Sequence, residues 1–167
     1  GILWKYGYYD QGRNQDQTLA VTWSEKQYSF LEDTGIKFQI NVHEHPVWVK
    51  AFYLNPETFK TAPLFLLSTD VAENDYVSQT ITHRLYDANV ATKVAQFILL
   101  GVGGAKLVDE IGFNPDVYHL NEAHGFSAAF FRGGDPYVGR RFRRRHQERM
   151  QGPQDEGDGR PGRQHQV

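Results

Sequence analysis

The chain has 167 residues, 40% hydrophobic and 14% aromatic, with a formal net charge of −2. This supplies one domain with a core and is too little for two large lobes. No cysteine is present, which excludes disulfides, thiolate catalysis and Cys-bearing zinc sites, and no apolar run approaches the ~20 residues of a membrane-spanning helix.

The opening GILWKYGYYDQ lacks the basic-then-apolar layout of a secretion signal, so a cytoplasmic location is expected. Its first residue is Gly1, which suggests a trimmed chain or a piece of a longer reading frame. In IKFQINVH, residues 36–43, Ile36, Phe38, Ile40 and Val42 alternate with Lys37, Gln39, Asn41 and His43, the pattern of a half-buried strand. VWVKAFYL, 47–54, is β-branched and aromatic and returns after a tight EHP connection as its antiparallel partner, forming a β-hairpin. His43, Glu44 and His45 form a weak metal-ligand set, because Pro46 argues for a turn. PLFLLSTD, 63–70, is an unbroken apolar run and predicts a strand buried on both faces, inside the sheet. Asp70, Glu73 and Asp75 follow in an acidic loop, where such residues mostly form turns.

From Ala91 to Ile111 the period changes, and Val94, Ile98, Gly101, Ala105 and Val108 share a helical face. Gly101, Gly103 and Gly104 weaken this helix by roughly 1 kcal/mol each, which predicts close approach of helix to sheet. The GVGG stretch lacks the pattern of a phosphate loop. Gly112 suits the helix C-terminus, and DVYHL, 116–120, reads as a short buried strand. NEAHGFSAAFF would then be a strand-to-helix loop opening a helix, at the carboxyl end of a strand, where open α/β sheets bind ligands. Asn121, Glu122 and His124 offer an amide, a carboxylate and an imidazole able to hold sugar hydroxyls. The alternative is that Asn121 and Glu122 cap the next helix.

The last segment differs in kind. Residues 1–131 contain nine Lys or Arg against fifteen Asp or Glu, a balance of −6, while 132–167 contain nine against five, +4, which together give −2. All nine basic residues of the second segment are Arg, against two of nine in the first. The chain is thus expected to divide into a partial α/β domain, 1–131, and an Arg/Gly-rich tail, 132–167, that cannot offset its ordering entropy by burial. The tail reads as a disordered basic segment for nucleic acid or acidic partners, as a solvated linker without function, or as sequence translated out of frame.

Several motifs carry a family likeness over nearly all of 1–131. GILWKYGYYDQ, LFLLSTDVAENDY, THRLYD and FILLGVGGAKLVDEIGFNPDVYHLNEAHGFSAAF, in that order, resemble segments of the shorter bacterial α-glucan phosphorylases. The resemblance implies an incomplete Rossmann-like amino-terminal domain of a two-lobed (GT-B type) glycosyltransferase. It also implies an activity in the parent protein, phosphorolysis of α-1,4-glucans by inorganic phosphate to glucose 1-phosphate with retention. Pyridoxal phosphate would be bound by the carboxyl-terminal lobe, which lies outside this chain. Glu122 and His124 match the family's cleft-lining acid and histidine, in the sugar subsite, and Asn121 matches the adjoining motif residue; Ala123 stands where Gly or Thr is usual. The THT-type motif expected after NEAH, the cofactor lysine and the phosphate-binding basic residues are absent. The resemblance therefore implies a fragment inactive alone; neither membrane nor nucleic acid is expected as a partner. A carbohydrate-binding α/β module with a basic tail, and part of a glucan synthase, are the rival readings. Loss of neighbouring strands would leave apolar edges prone to aggregation.

Overall fold

Alternating side chains build the centre of the fold. The computed structural model describes residues 1–121 and 123–133, so Glu122 and almost all of the predicted tail lie outside the described residues. Two short strands, β1 (Asp10–Arg13) and β2 (Leu19–Thr22), pair antiparallel. A three-stranded sheet follows in the order β3-β4-β5, from β3 (Glu32–Val42), β4 (His45–Leu54) and β5 (Leu64–Ser68). The predicted hairpin is β3-β4, and its register sets Phe38 opposite Val49 and Ile40 opposite Val47. Phe38, Ile40 and Val42 of β3, Val47, Val49 and Ala51 of β4 and Leu67 of β5 form the sheet's side of the core. Period-2 alternation places them on one face.

The β3-β4 turn is His43-Glu44 alone, with φ of 50° and 65°, the two left-handed residues of a tight hairpin turn. Pro46, expected in the turn, is the second residue of β4, opposite Asn41. It is tolerated because β5 pairs with β4 only over Lys50–Leu54, leaving the edge at Pro46 without a ladder partner in β5. Further down β3 the register shifts between Asp33 and Lys37. Gly35 there has a φ of 71°, a conformation that suits glycine.

The strand predicted from 63–70 is β5, but it is the last strand of the sheet order rather than an interior one. Its outer edge is nevertheless occupied. The backbone N–H of Leu67 donates to Gly1 O (2.9 Å) and that of Leu3 donates to Leu67 O (2.8 Å), a parallel bridge between Ile2 and Leu67. Burial on both faces is reached only at the Leu67–Ser68 end, and Leu64 remains exposed.

The predicted helix forms in three pieces: α-helix Val90–Ile98, a π-helical turn Leu99–Gly103, and α-helix Gly104–Glu110. In chain order α1 is Pro56–Phe59, α2 Tyr76–Thr80, α3 Val90–Ile98, α4 Gly104–Glu110 and α5 Ser127–Gly133. The expected face is partly corrected. Gly101 and Ala105 are buried, whereas Val94 is exposed, and the residues meeting the sheet include Ala95, Leu99 and Leu107. Ala95, Leu99, Gly103 and Leu107 are spaced by four, which in an ideal helix drifts about 120° over three steps. The extra residue taken up by a π-turn removes roughly 100° of that drift, so one face stays on the sheet. Val90–Glu110 has the length and mean hydropathy, 1.3, of a membrane-crossing helix, but its buried apolar residues belong to this core. Gly112 closes α4 as expected, with φ 67°, its N–H on Asp109 O (2.9 Å) and that of Phe113 on Val108 O (3.0 Å), the paired bonds of a left-handed C-cap.

Residues 116–120 are not a strand. Val117 is 79% exposed and Tyr118 39%. A strand forms only against a partner, and among the described residues none of the strand pairings or bridges involves this stretch. All pairing between named strands is antiparallel, so among the described residues the fold is mixed α/β with two small sheets.

Candidate functional site

Residues 124–128 are positioned by the π-turn, not by the end of a strand. Asn121 and His124 are both exposed, and Glu122 lies outside the described residues. The reason is steric and begins at Gly101. A Cβ at that position would stand 2.0 Å from Ser127 Oγ, 2.7 Å from the backbone nitrogen of Ala128 and 3.1 Å from Gly125 O. Only glycine lets the 125–128 turn approach this closely. The Ser127 hydroxyl donates to the Phe97 carbonyl (2.8 Å), and the Phe97 ring meets the His124 imidazole edge to face with centroids 4.8 Å apart. The predicted close approach to the sheet belongs to Gly103, whose Cβ would meet Leu67 and Leu99 at 3.3 Å; Gly104 has nothing within 4 Å. The capping alternative fails for Asn121, because α5 begins only at Ser127, too far along for an N-cap bond.

The acidic loop after β5 is a structural knot. Asn74 is its centre: its amide oxygen accepts from Trp48 N–H (2.8 Å), and its amide nitrogen donates to Trp48 O (2.8 Å) and Thr69 O (2.7 Å). Asn74 thus takes the place of a strand residue on β4 beyond the Lys50–Ser68 pair. Asp75 caps α2, accepting from Ser78 N–H (2.8 Å), and also meets His45 Nε2 (2.9 Å). Ser78 and, less strongly, His45 hold the Asp75 carboxyl below its usual range. Glu73 pairs with Lys37 at 2.5 Å, which lowers its carboxyl likewise. Asp70 pairs with Lys5 (3.0 Å) and lies 3.5 Å from His83 Nε2; the hydrogen bond to Asp70 raises the Lys5 ammonium. Lys5 and Asp70 line a shallow cleft of about 150 Å³ with Lys26, Tyr28, Phe52 and Ser68.

No family model matches the chain. It is 45% identical over 129 residues to an uncharacterized protein of Methanocaldococcus jannaschii, covering 77% of this chain and 25% of that one. A maltodextrin phosphorylase of Thermococcus litoralis is 32% identical over 140 residues, 79% of this chain and 16% of its own. A glycogen phosphorylase of Mycobacterium tuberculosis is 26% identical over 140 residues, 74% and 16%. This chain is homologous to a segment of the maltodextrin and glycogen phosphorylases. It spans a quarter or less of the length of these relatives.

In this phosphorylase-related segment an aromatic surface went unnoticed in the sequence. The Tyr8 and Tyr9 rings stack at 4.3 Å, Tyr86 meets Tyr8 edge-on, and Trp23 meets Tyr9. The Arg84 guanidinium lies over both Tyr6 and Trp23. Tyr8 and Tyr86 are 52% and 68% exposed, which leaves flat faces for an uncharged ligand. The YGYY and HRLY spellings carried that signal; only the ordering of both in space reveals it. Pyridoxal phosphate does not fit the described residues. An imine-forming lysine needs a desolvated amine, and none of the seven lysines here is buried.

Proposed function

We propose that this chain is part of the amino-terminal, Rossmann-like lobe of a two-lobed α-glucan phosphorylase, and that Asn121, Glu122 and His124 serve its glucose subsite. The observation that carries the reading is the similarity over some three quarters of the chain to maltodextrin and glycogen phosphorylases. The exposed placement of Asn121 and His124 on a fixed loop supports it, since an amide and an imidazole facing outward can bind sugar hydroxyls. The exposed tyrosines add faces for pyranose rings.

In the reaction proposed for the parent, the glycosidic bond from C1 breaks, a bond from C1 to a phosphate oxygen forms, and the departing 4-hydroxyl of the shortened glucan takes up a proton. Pyridoxal phosphate, placed in the other lobe, would supply proton transfer to and from inorganic phosphate when bound. The chain's own residues would bind and orient the sugar, and the isolated chain would not turn over. The reading places the protein in the cytoplasm, with α-1,4-glucan and inorganic phosphate as substrates. Incubating the full-length parent with maltoheptaose and inorganic phosphate is expected to yield glucose 1-phosphate. Consumption of a nucleotide sugar without that product would instead indicate a glucan synthase.

A further inference from the structure

We infer that the π-turn Leu99–Gly103 is a built seat for residues 124–128, with Ser127 as the positioning residue that fixes His124. The inference rests on the proposed sugar subsite for its functional meaning, but its geometry stands independently. Three observations converge on the same few residues. At Gly101 the helix surface is missing a Cβ where the Gly125 carbonyl, the Ser127 hydroxyl and the Ala128 amide enter. At Phe97 the carbonyl accepts the Ser127 hydroxyl, and the ring of the same residue receives His124. Between these two positions the helix changes from α to π at Leu99.

The physical logic follows from the sequence. One extra residue in a helical turn widens it and loosens its hydrogen-bond ladder, which is why such turns persist where a function or packing need requires them. Here the widened turn keeps Leu99 and Leu107 on the sheet while turning Gly101 toward the 125–128 turn. The Phe97 carbonyl has a second lone pair for Ser127. Backbone and ring of one residue thereby hold both ends of a four-residue stretch, His124 to Ser127. Ala128 is buried against the same surface, at 7% exposure, and anchors the start of α5. A residue that binds a sugar hydroxyl must be held to within about 0.5 Å and 10–20° of its working geometry, and contacts of this kind restrict the imidazole of an exposed loop residue.

Ser127 is thus distinguished from a residue that only stabilises the fold by what its loss should move. Proton NMR of the 167-residue chain reads His124 directly, because the ring current of Phe97 displaces the His124 imidazole protons from the positions of a free histidine. In Ser127→Ala those resonances should move toward the free positions while the amide signals of Val49 and Leu67 stay in place. Ser127→Thr, which keeps the hydroxyl, should restore them, and Gly101→Ala should shift them as Ser127→Ala does. Phe97→Leu should remove the displacement but leave the Ser127 contact, which separates ring current from position. His124 resonances unchanged in Ser127→Ala, with the sheet signals also unchanged, overturn the inference. The two readings fail separately: absence of glucose 1-phosphate from the parent removes the glucan role, while an unmoved His124 removes the seat.

Discussion

Replacing Asn74 with alanine would strip the Trp48 backbone of both its amide partners at a point where β5 no longer covers β4. A buried backbone group left without a partner costs about 1–3 kcal/mol, so urea unfolding of Asn74→Ala should show a loss of that size, and an unchanged midpoint would contradict the strand-like role. The neighbouring Asp75 predicts a pH effect. Its folded carboxyl, like those of Glu73 and of Asp33 beside Lys50, lies below the ordinary value. The stabilising contribution is therefore complete above the unfolded value, about pH 4, and is lost as pH falls through the lower folded values. Thermal melting from pH 7 to 3 should fall on the acid side, and Asp75→Asn, which keeps a cap acceptor, should flatten that fall. Neither role was readable from STDVAENDY, where Asp and Asn announce a turn but not which backbone they will reach.

Elements whose signal is local matched the sequence closely. The alternation in 36–43 marks the first strand of the hairpin and its buried face, because a pleat makes every second residue a neighbour, and the β-branched and aromatic run 47–54 marks its partner. Gly112 announced the C-cap because only glycine enters its left-handed conformation cheaply. Gly112→Ala should therefore cost about 1–2 kcal/mol, measured by denaturation, whereas Gly104→Ala, with open space around it, should be neutral or stabilising. The helix face was misread at Val94 because a period of 3.6 assumes an unbroken α-helix, and no residue type spells a π-turn. The hairpin β1-β2 was missed for a related reason: nearly all of its residues are exposed, so no apolar alternation marks it. DVYHL failed as a strand because strand formation requires a partner, and a short apolar alternation does not say whether one is within reach.

At the scale of the whole molecule, the motif order carries the phosphorylase likeness, and the similarity to maltodextrin and glycogen phosphorylases supports it. What motifs could not supply is how the NEAH loop is held. The sequence places it at the end of a strand; the structure seats His124 and the 125–128 turn on the helix through Gly101 and Phe97. Phe126 and Phe130, just beyond this loop, are exposed and meet edge-on, with ring centroids 5.1 Å apart. The measurement that tests the central claim most directly is phosphorolysis by the full-length parent, wild type against His124→Ala, with maltoheptaose and inorganic phosphate. The account predicts glucose 1-phosphate from the wild type and a fall of roughly 100-fold in kcat/KM for the variant, the scale of about 2.7 kcal/mol of lost transition-state binding. No glucose 1-phosphate from the wild type, or a variant as active as the wild type, would contradict it.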